Sequence, residues 1–125
     1  MIHLDTSFLI RALTRGSPED RQLRAWLQEA TTVGISAVSW AEFLCGPVDA
    51  EDVALAARIV GDPVEFTAED SSGTARLFNL AGRRRGSLTD CMIAAVALRV
   101  GASMATTNPG DFRRFEAAGL EIVTA

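Results

Sequence analysis

The sequence predicts a single α/β domain, residues 1–125, built as a three-layer α/β/α sandwich around a mostly parallel sheet. Short apolar segments with strand character alternate along the chain with longer segments of helical periodicity. This alternation is typical of parallel strands joined by helices that cover both faces of a sheet. A chain of 125 residues, 48% of them hydrophobic, also has the size of one domain with its own core.

Capping residues and helix breakers set the boundaries of the expected elements. Asp5, Ser17 and Thr67 are good N-caps, and Ser17 precedes Pro18, a residue favoured at the first helical position. Glycines end several of the helices. In chain order we expect a strand at 1–4, helices at 5–13 and 17–30, a strand at 32–36, helices at 37–45 and 51–60, a strand at 64–66, helices at 67–82 and 91–100, a strand at 103–106, a helix at 111–118 and a strand at 121–124. The helix at 91–100 is apolar on every side, so we expect it to be buried against the sheet.

Composition excludes several classes of chemistry. All 12 basic residues are arginine, so Schiff-base catalysis and a Walker-type phosphate lysine are excluded. The single histidine, His3, lies within a strand beside no nucleophile and is expected to be a core residue. Cys45 and Cys91 lie in apolar helical segments without a CxxC pair, which argues against a zinc site or a disulfide framework.

Location and charge narrow the function further. No segment reaches the roughly 18 uncharged apolar residues of a membrane span. Asp5 would interrupt the apolar part of a signal peptide, so we expect a cytoplasmic protein. The net charge of −4 argues, taken alone, against a nucleic-acid partner.

Three aspartates lie where ligands bind in parallel sheets, beyond the carboxyl ends of the strands. Asp5 and Asp111 come just after predicted strands, and Asp90 lies in the first turn of a helix. Each also has a structural interpretation. Asp5 could cap the following helix, Asp90 could complete a capping box with Ser87, and Asp111 could begin the last helix.

Glu42 lies on the predicted helix 37–45 with no basic residue one turn away, and on no obvious solvent-facing side. We therefore expect a buried carboxylate that needs a compensating cation or arginine, because an unpaired buried charge is costly. The alternative is an ordinary, partly exposed helix acid.

Acids that converge on one cleft repel one another unless a divalent ion binds among them. Ligation by oxygen alone suits Mg²⁺ or Mn²⁺. A bound divalent ion also reverses the local field, so an acidic protein can hold a phosphodiester. The expected chemistry is attack of an activated water on phosphorus.

Four segments of the chain resemble the PIN-domain ribonucleases, and most closely the VapC-type toxins of bacterial toxin–antitoxin pairs. They are IHLDTSFLI from residue 2, SAVSWAEFLCG from residue 36, DCMIAAVA from residue 90 and TTNPGDF from residue 106. The resemblance covers essentially the whole chain. It implies a PIN-like α/β/α fold, endonucleolytic cleavage of RNA, a homodimer, and a cognate antitoxin that wraps the toxin and obstructs its active site.

The resemblance also implies roles for individual residues. Asp5, Glu42 and Asp90 would be the main metal-site acids for Mg²⁺ or Mn²⁺, and Asp111 would complete the set. The hydroxyls that it implies near the metal or the phosphate are those of Thr6 or Ser7 and of Thr107.

An arginine run, Arg83, Arg84 and Arg85, precedes the Asp90 helix and could contact RNA phosphates at the rim of the cleft. A solvated charged loop after a helix end is the alternative. Phosphatases and receiver domains of similar fold need a lysine, which this chain lacks. A PIN-like module that only binds RNA or protein remains the alternative to an enzyme, and it predicts damaged acidic positions, whereas all four acids are present.

Overall fold

The computed structural model describes all residues, 1–125, as seven α-helices, one 3₁₀ helix and four strands. The strands are β1 (Ile2–Leu4), β2 (Val33–Gly34), β3 (Ser103–Ala105) and β4 (Ile122–Val123). The helices are α1 (Thr6–Ala12), α2 (Pro18–Gln28), α3 (Ala37–Cys45), α4 (Ala50–Val60), α5 (Ala68–Leu80), α6 (Leu88–Val100) and α7 (Pro109–Phe112), with the 3₁₀ helix at Arg113–Ala118.

The sheet is parallel throughout, with the strand order β2-β1-β3-β4. Its two central strands, β1 and β3, are paired in a register that sets Leu4 opposite Ala105. The Asp5 amide then donates to the Ala105 carbonyl oxygen at 2.9 Å. The carboxyl ends of β1 and β3 therefore lie side by side.

Two hydrophobic cores fill the two sides of the sheet. One core contains Phe8, Trp26, Ile35 and Phe43 together with residues of α4. The other is built on α6 and on buried residues of α5, β3, α7 and the 3₁₀ helix. Helices thus cover both faces, and the predicted three-layer α/β/α architecture is confirmed.

Most expected elements are present, with boundaries within a few residues of those predicted. The strand expected at 64–66 is wrong, because this segment makes only one bridge, between Ser36 and Val64. Pro63 has no amide hydrogen to extend the ladder, and Thr67 already caps α5. The last helix begins at Pro109, and its continuation after Phe112 is a 3₁₀ helix.

His3 is fully buried on β1, as expected of a core histidine, and neither ring nitrogen has a hydrogen-bond partner. Burial lowers the pKa of His3 from 6.5 to about 4, so the ring is neutral at pH 7. Elsewhere in the chain, no helix combines the length and the apolar character that a membrane span requires.

Candidate active site

Asp5 lies at the carboxyl end of β1 and caps α1. Its Oδ1 accepts hydrogen bonds from the Phe8 amide at 2.8 Å and from the Ser7 hydroxyl at 2.7 Å. Only 5% of Asp5 is exposed, and this burial raises the pKa of its carboxyl against the hydrogen bonds of Thr106, Phe8 and Ser7, which lower it. The cap and the candidate ligand are therefore one residue, and the structural interpretation of Asp5 does not exclude the functional one.

Glu42 is exposed, so the expectation of a buried and unpartnered carboxylate is wrong. Glu42 lies on a side of α3 that borders a shallow, open pocket, which is also lined by Phe66 and Met92. The Thr6 hydroxyl, at the start of α1, lies 2.8 Å from Glu42 Oε1 and donates to it. This contact ties α3 to the residue next to Asp5, and the charge of Glu42 raises the pKa of Asp5 further.

Asp90 does not complete a capping box, contrary to that interpretation of the sequence. The Ser87 hydroxyl donates instead to the Arg84 carbonyl oxygen at 2.7 Å and makes no cap hydrogen bond. Burial, followed by the charge of Asp111, raises the pKa of Asp90 from 3.8 to about 6, and Arg114 opposes the shift. The charges of Glu42 and Asp5 raise it as well, so the other three predicted acids all act on this carboxyl.

Asp111 is exposed in the first turn of α7 and faces the same cavity as Asp90. This cavity, of about 240 Å³, has no hydrophobic residue in its lining. Beside the two aspartates it is lined by Arg84, Arg85 and Arg114. Arg83, the first member of the predicted arginine run, lies outside the cavity, with its guanidinium over the Phe78 ring and hydrogen-bonded to Asn79.

The hydroxyl residues divide into two groups. Thr6 contacts Glu42 and Ser7 contacts Asp5, as described above. Thr107 contacts the residues around Asp5 only through its backbone: its amide donates to the Ser7 hydroxyl at 3.4 Å. The buried Thr106, absent from the predicted set, lies beside Asp5 and lowers its pKa. The register explains its position, since Leu4 pairs with Ala105 and the next residues on both strands are neighbours.

The donor set fits a hydrated divalent cation. No three histidine, cysteine, aspartate or glutamate side chains lie close enough together to form a complete metal cage. Mg²⁺ does not require one, because it keeps several water ligands and is usually held by one or two carboxylates. The available donors are carboxylate and hydroxyl oxygens, which are the hard ligands that Mg²⁺ and Mn²⁺ prefer. Burial, followed by the repulsion of Asp111, raises the pKa of Asp90, and a bound cation would oppose both effects.

We expect the contribution of Asp90 to the stability of the metal-free protein to fall as the pH rises from about 4 to 7. The pKa of Asp90 is higher in the folded chain, about 6, than its usual 3.8, so the folded state binds more protons in this interval. The loss should be about 1–2 kcal/mol, allowing for partial solvent screening of a half-buried carboxyl. Asp90→Asn should remove this loss, and saturating Mg²⁺ should compensate for it in the wild type only.

Urea unfolding of both proteins between pH 4 and 7.5, in EDTA and in Mg²⁺, tests this expectation. His3 contributes in the opposite direction over the same interval, because its folded pKa is depressed and its stabilisation is lost as the pH falls. The difference between wild type and Asp90→Asn cancels that contribution. A difference independent of pH would contradict the expectation.

Several solved structures have a fold similar to that of this chain. VapBC2 from Rickettsia felis, bound to a DNA fragment from its promoter, matches with a TM-score of 0.78 and 19% identity over 100% of this chain and 99% of that one. A toxin–antitoxin complex from Klebsiella pneumoniae matches with a TM-score of 0.75 and 21% identity over 99% and 97%. FitAcB from Neisseria gonorrhoeae matches with a TM-score of 0.71 and 22% identity over 98% and 96%.

At these identities the likeness establishes a shared fold. No curated protein sequence matches the chain significantly. The family is shown by the sequence itself, because the sequence model of the PIN domain family matches residues 2–118. The predicted resemblance is thereby confirmed, and the chain belongs to the PIN domain family.

Proposed function

We propose that this protein is a Mg²⁺- or Mn²⁺-dependent endoribonuclease, acting in the cytoplasm as the toxin of a toxin–antitoxin pair. PIN domains are generally nucleases and typically use divalent metal ions. One observation carries the proposal for this chain: Asp111, Glu42 and Asp5 all raise the pKa of Asp90, which requires four carboxylates to share one electrostatic field. Burial makes the largest contribution to this shift, and carboxyls perturbed by burial and by like charges in one cavity are typical of functional sites.

Each residue has a part in this proposal. Asp5 and Asp90 would hold the cation, since both carboxyls lose solvation on folding. Glu42, oriented by the Thr6 hydroxyl, and Asp111 would bind water in the cation's coordination shell. A bound Mg²⁺ would polarise the phosphodiester and lower the pKa of the attacking water. Arg84 and Arg85 would bind phosphate from the lining of the cavity that also contains Asp90 and Asp111.

Incubation of the purified protein with single-stranded RNA, in Mg²⁺, Mn²⁺ or EDTA, tests the proposal directly. We expect cleavage in either metal and none in EDTA. Mapping the cut sites after controlled expression in a bacterial host would then identify the RNA and the sequence that is cut. Full cleavage in EDTA by folded protein would refute metal dependence, and RNA binding without cleavage in all conditions would favour a binding module.

The arginine run gives a second test, because its members differ in environment. Replacing Arg84 and Arg85 with Gln should weaken RNA binding for all sequences and reduce the slope of log K against log salt by about 1.4, the value for two phosphate contacts on a single strand. Arg83→Gln is the matched control, since its guanidinium is already engaged by Phe78 and Asn79. Binding to labelled RNA at several salt concentrations measures both quantities. Equal effects of the two replacements would assign the run to a solvated loop.

We also propose a cognate antitoxin and a homodimer. The solved relatives include toxin–antitoxin complexes, among them the one from Klebsiella pneumoniae. Several large apolar side chains stay exposed on this chain, including Ile10, Leu44 and Leu55, and they offer surface for such contacts. Light scattering of the chain alone, and co-purification with the product of the neighbouring gene, test the two assemblies separately.

A further inference from the structure

We propose that Arg114 holds Asp90 in the metal-free protein and binds a substrate phosphate once a divalent cation has taken its place. This inference rests on the proposed function, since it assigns a phosphate contact within the same site. It adds a residue outside the predicted arginine run. It also couples the two binding events, because Arg114 becomes free to bind phosphate when the cation replaces it at Asp90.

The contact between Arg114 and Asp90 is an ion pair without a hydrogen bond. Arg114 lies on the 3₁₀ helix, and its Nη2 is 3.7 Å from Asp90 Oδ2. This separation exceeds the range of an N–H···O hydrogen bond. The pair is shielded all the same, because the two side chains are only 17% and 32% exposed. Asp90 is therefore neutralised by a cation that it does not hold firmly.

The Arg114 guanidinium is positioned for a ligand that it does not contact in this structure. It lies 4.9 Å from the centroid of the Phe115 ring, which fixes the plane of the fork. Its Nε is buried and has no hydrogen-bond partner. Buried donors are nearly always satisfied, so an unpaired Nε on a side chain that lines a polar cavity indicates an acceptor that Arg114 does not reach in its present position. Phosphate oxygens are the acceptors that a planar fork binds best.

The lining of the cavity carries charges of both signs. Asp90 and Asp111 provide two carboxylates, and Arg84, Arg85 and Arg114 provide three guanidiniums. Without a metal, the acids attract the nearest arginine, and that arginine is Arg114. With a metal on the acids, the three arginines are left without their countercharge, and a phosphate supplies it.

Metal titration by calorimetry tests the first step without any RNA. Arg114→Gln should bind Mn²⁺ about fivefold more tightly than wild type, because it removes the cation that competes for Asp90. Arg113→Gln is the matched control, since it removes one positive charge from the adjacent, exposed residue of the same 3₁₀ helix. We expect Arg113→Gln to bind Mn²⁺ as the wild type does. Equal Mn²⁺ affinities for the two variants would overturn the proposal.

Binding of a nucleoside bisphosphate, which has no internucleotide bond to cleave, tests the second step. In saturating Mn²⁺, Arg114→Gln should lose about tenfold in affinity for it and Arg113→Gln should lose none. Inorganic phosphate serves as a parallel probe, and equal losses for both probes assign Arg114 to the phosphate group alone. An unchanged bisphosphate affinity would overturn the proposal.

Nuclear magnetic resonance of the wild-type protein tests the same exchange without depending on whether a variant folds. The Arg114 Nε signal should shift on addition of Mg²⁺, and the Arg113 signal should not. An unmoved Arg114 signal would overturn the proposal whatever the variant does. The proposed ribonuclease function fails independently, because a protein that shows both binding changes but cleaves no RNA keeps the Arg114 exchange and loses only that function.

Discussion

Asp5→Asn is expected to reduce RNA cleavage by about a thousandfold or more while the fold stays intact, because it removes one charge from the proposed metal site. The helix cap should survive. Asp5 caps α1 by accepting the Phe8 amide and the Ser7 hydroxyl through one oxygen, and the amide oxygen of asparagine can accept both. Burial raises the pKa of the Asp5 carboxyl, so a neutral side chain removes a desolvation cost. The metal-free variant should therefore be at least as stable as the wild type.

Asp49→Asn provides the matched control for this variant. Asp49 also caps a helix, α4, by accepting the Asp52 amide at 2.8 Å, but it is exposed and outside the acidic cluster. We expect full cleavage by Asp49→Asn. Single-turnover cleavage together with thermal unfolding, with and without Mg²⁺, measures both effects. Asp5→Asn should also lose the stabilisation by Mg²⁺, which would be about 2.7 kcal/mol at a concentration one hundred times Kd. A variant that keeps both cleavage and this stabilisation would remove Asp5 from the site.

Arg99→Gln is expected to destabilise the fold by about 3 kcal/mol without touching the acidic cluster, because it leaves a buried carboxylate without its partner. Arg99 Nε lies 2.8 Å from Asp70 Oδ1, and its Nη2 donates to the Glu65 carbonyl oxygen at 2.8 Å. Only 1% of the Asp70 side chain is exposed. Burial alone would raise the pKa of Asp70, yet the hydrogen bond and charge of Arg99 hold it below its usual value.

The sign of the pH dependence separates this effect from a packing defect. A depressed carboxyl pKa stabilises the fold above the usual value of 3.8, and this contribution is lost as the pH falls. The difference between wild type and Arg99→Gln should therefore shrink under acid, where Asp70 is protonated. Arg58→Gln is the control, since Arg58 also lies in the last turn of a helix but is exposed and makes no ion pair. A pH-independent difference in urea unfolding would contradict the ion-pair explanation.

Local chemistry explains why most of the fold could be predicted from the sequence. Ser17 with Pro18, and Thr67 with Asp70, each begin a helix with caps that the structure confirms. The predictions that are wrong depend on neighbours distant in sequence. Residues 64–66 have strand composition, but a strand needs a partner along its length, and only Ser36 is available. Ser87 has a capping sequence, but its hydroxyl donates to Arg84.

The same distinction between local features and long-range contacts applies to the candidate site. The three aspartates could be singled out from the sequence because their positions after strands and at helix starts are local features, and their role at a metal site stays a prediction. The exposure of Glu42 could not be, since it depends on which elements cover α3. In the sequence, nothing distinguishes Arg114 from an ordinary helix arginine. Only the packing of the 3₁₀ helix in the folded chain brings its Nη2 within 3.7 Å of Asp90 Oδ2.

The parallel pairing of β1 with β3 has a consequence for the synthesis of the chain. Thr107 donates to Ser7 across a separation of 100 residues, and the first strand bonds to β3 along its whole length. Such long-range pairing is slow to form, because the entropy of loop closure must be overcome before the contact is gained. A nascent chain that stops before residue 103 has neither β3 nor Asp111. The four carboxylates therefore meet only after residue 111 has been synthesised and has left the ribosome, and a shorter nascent chain cannot assemble the candidate site.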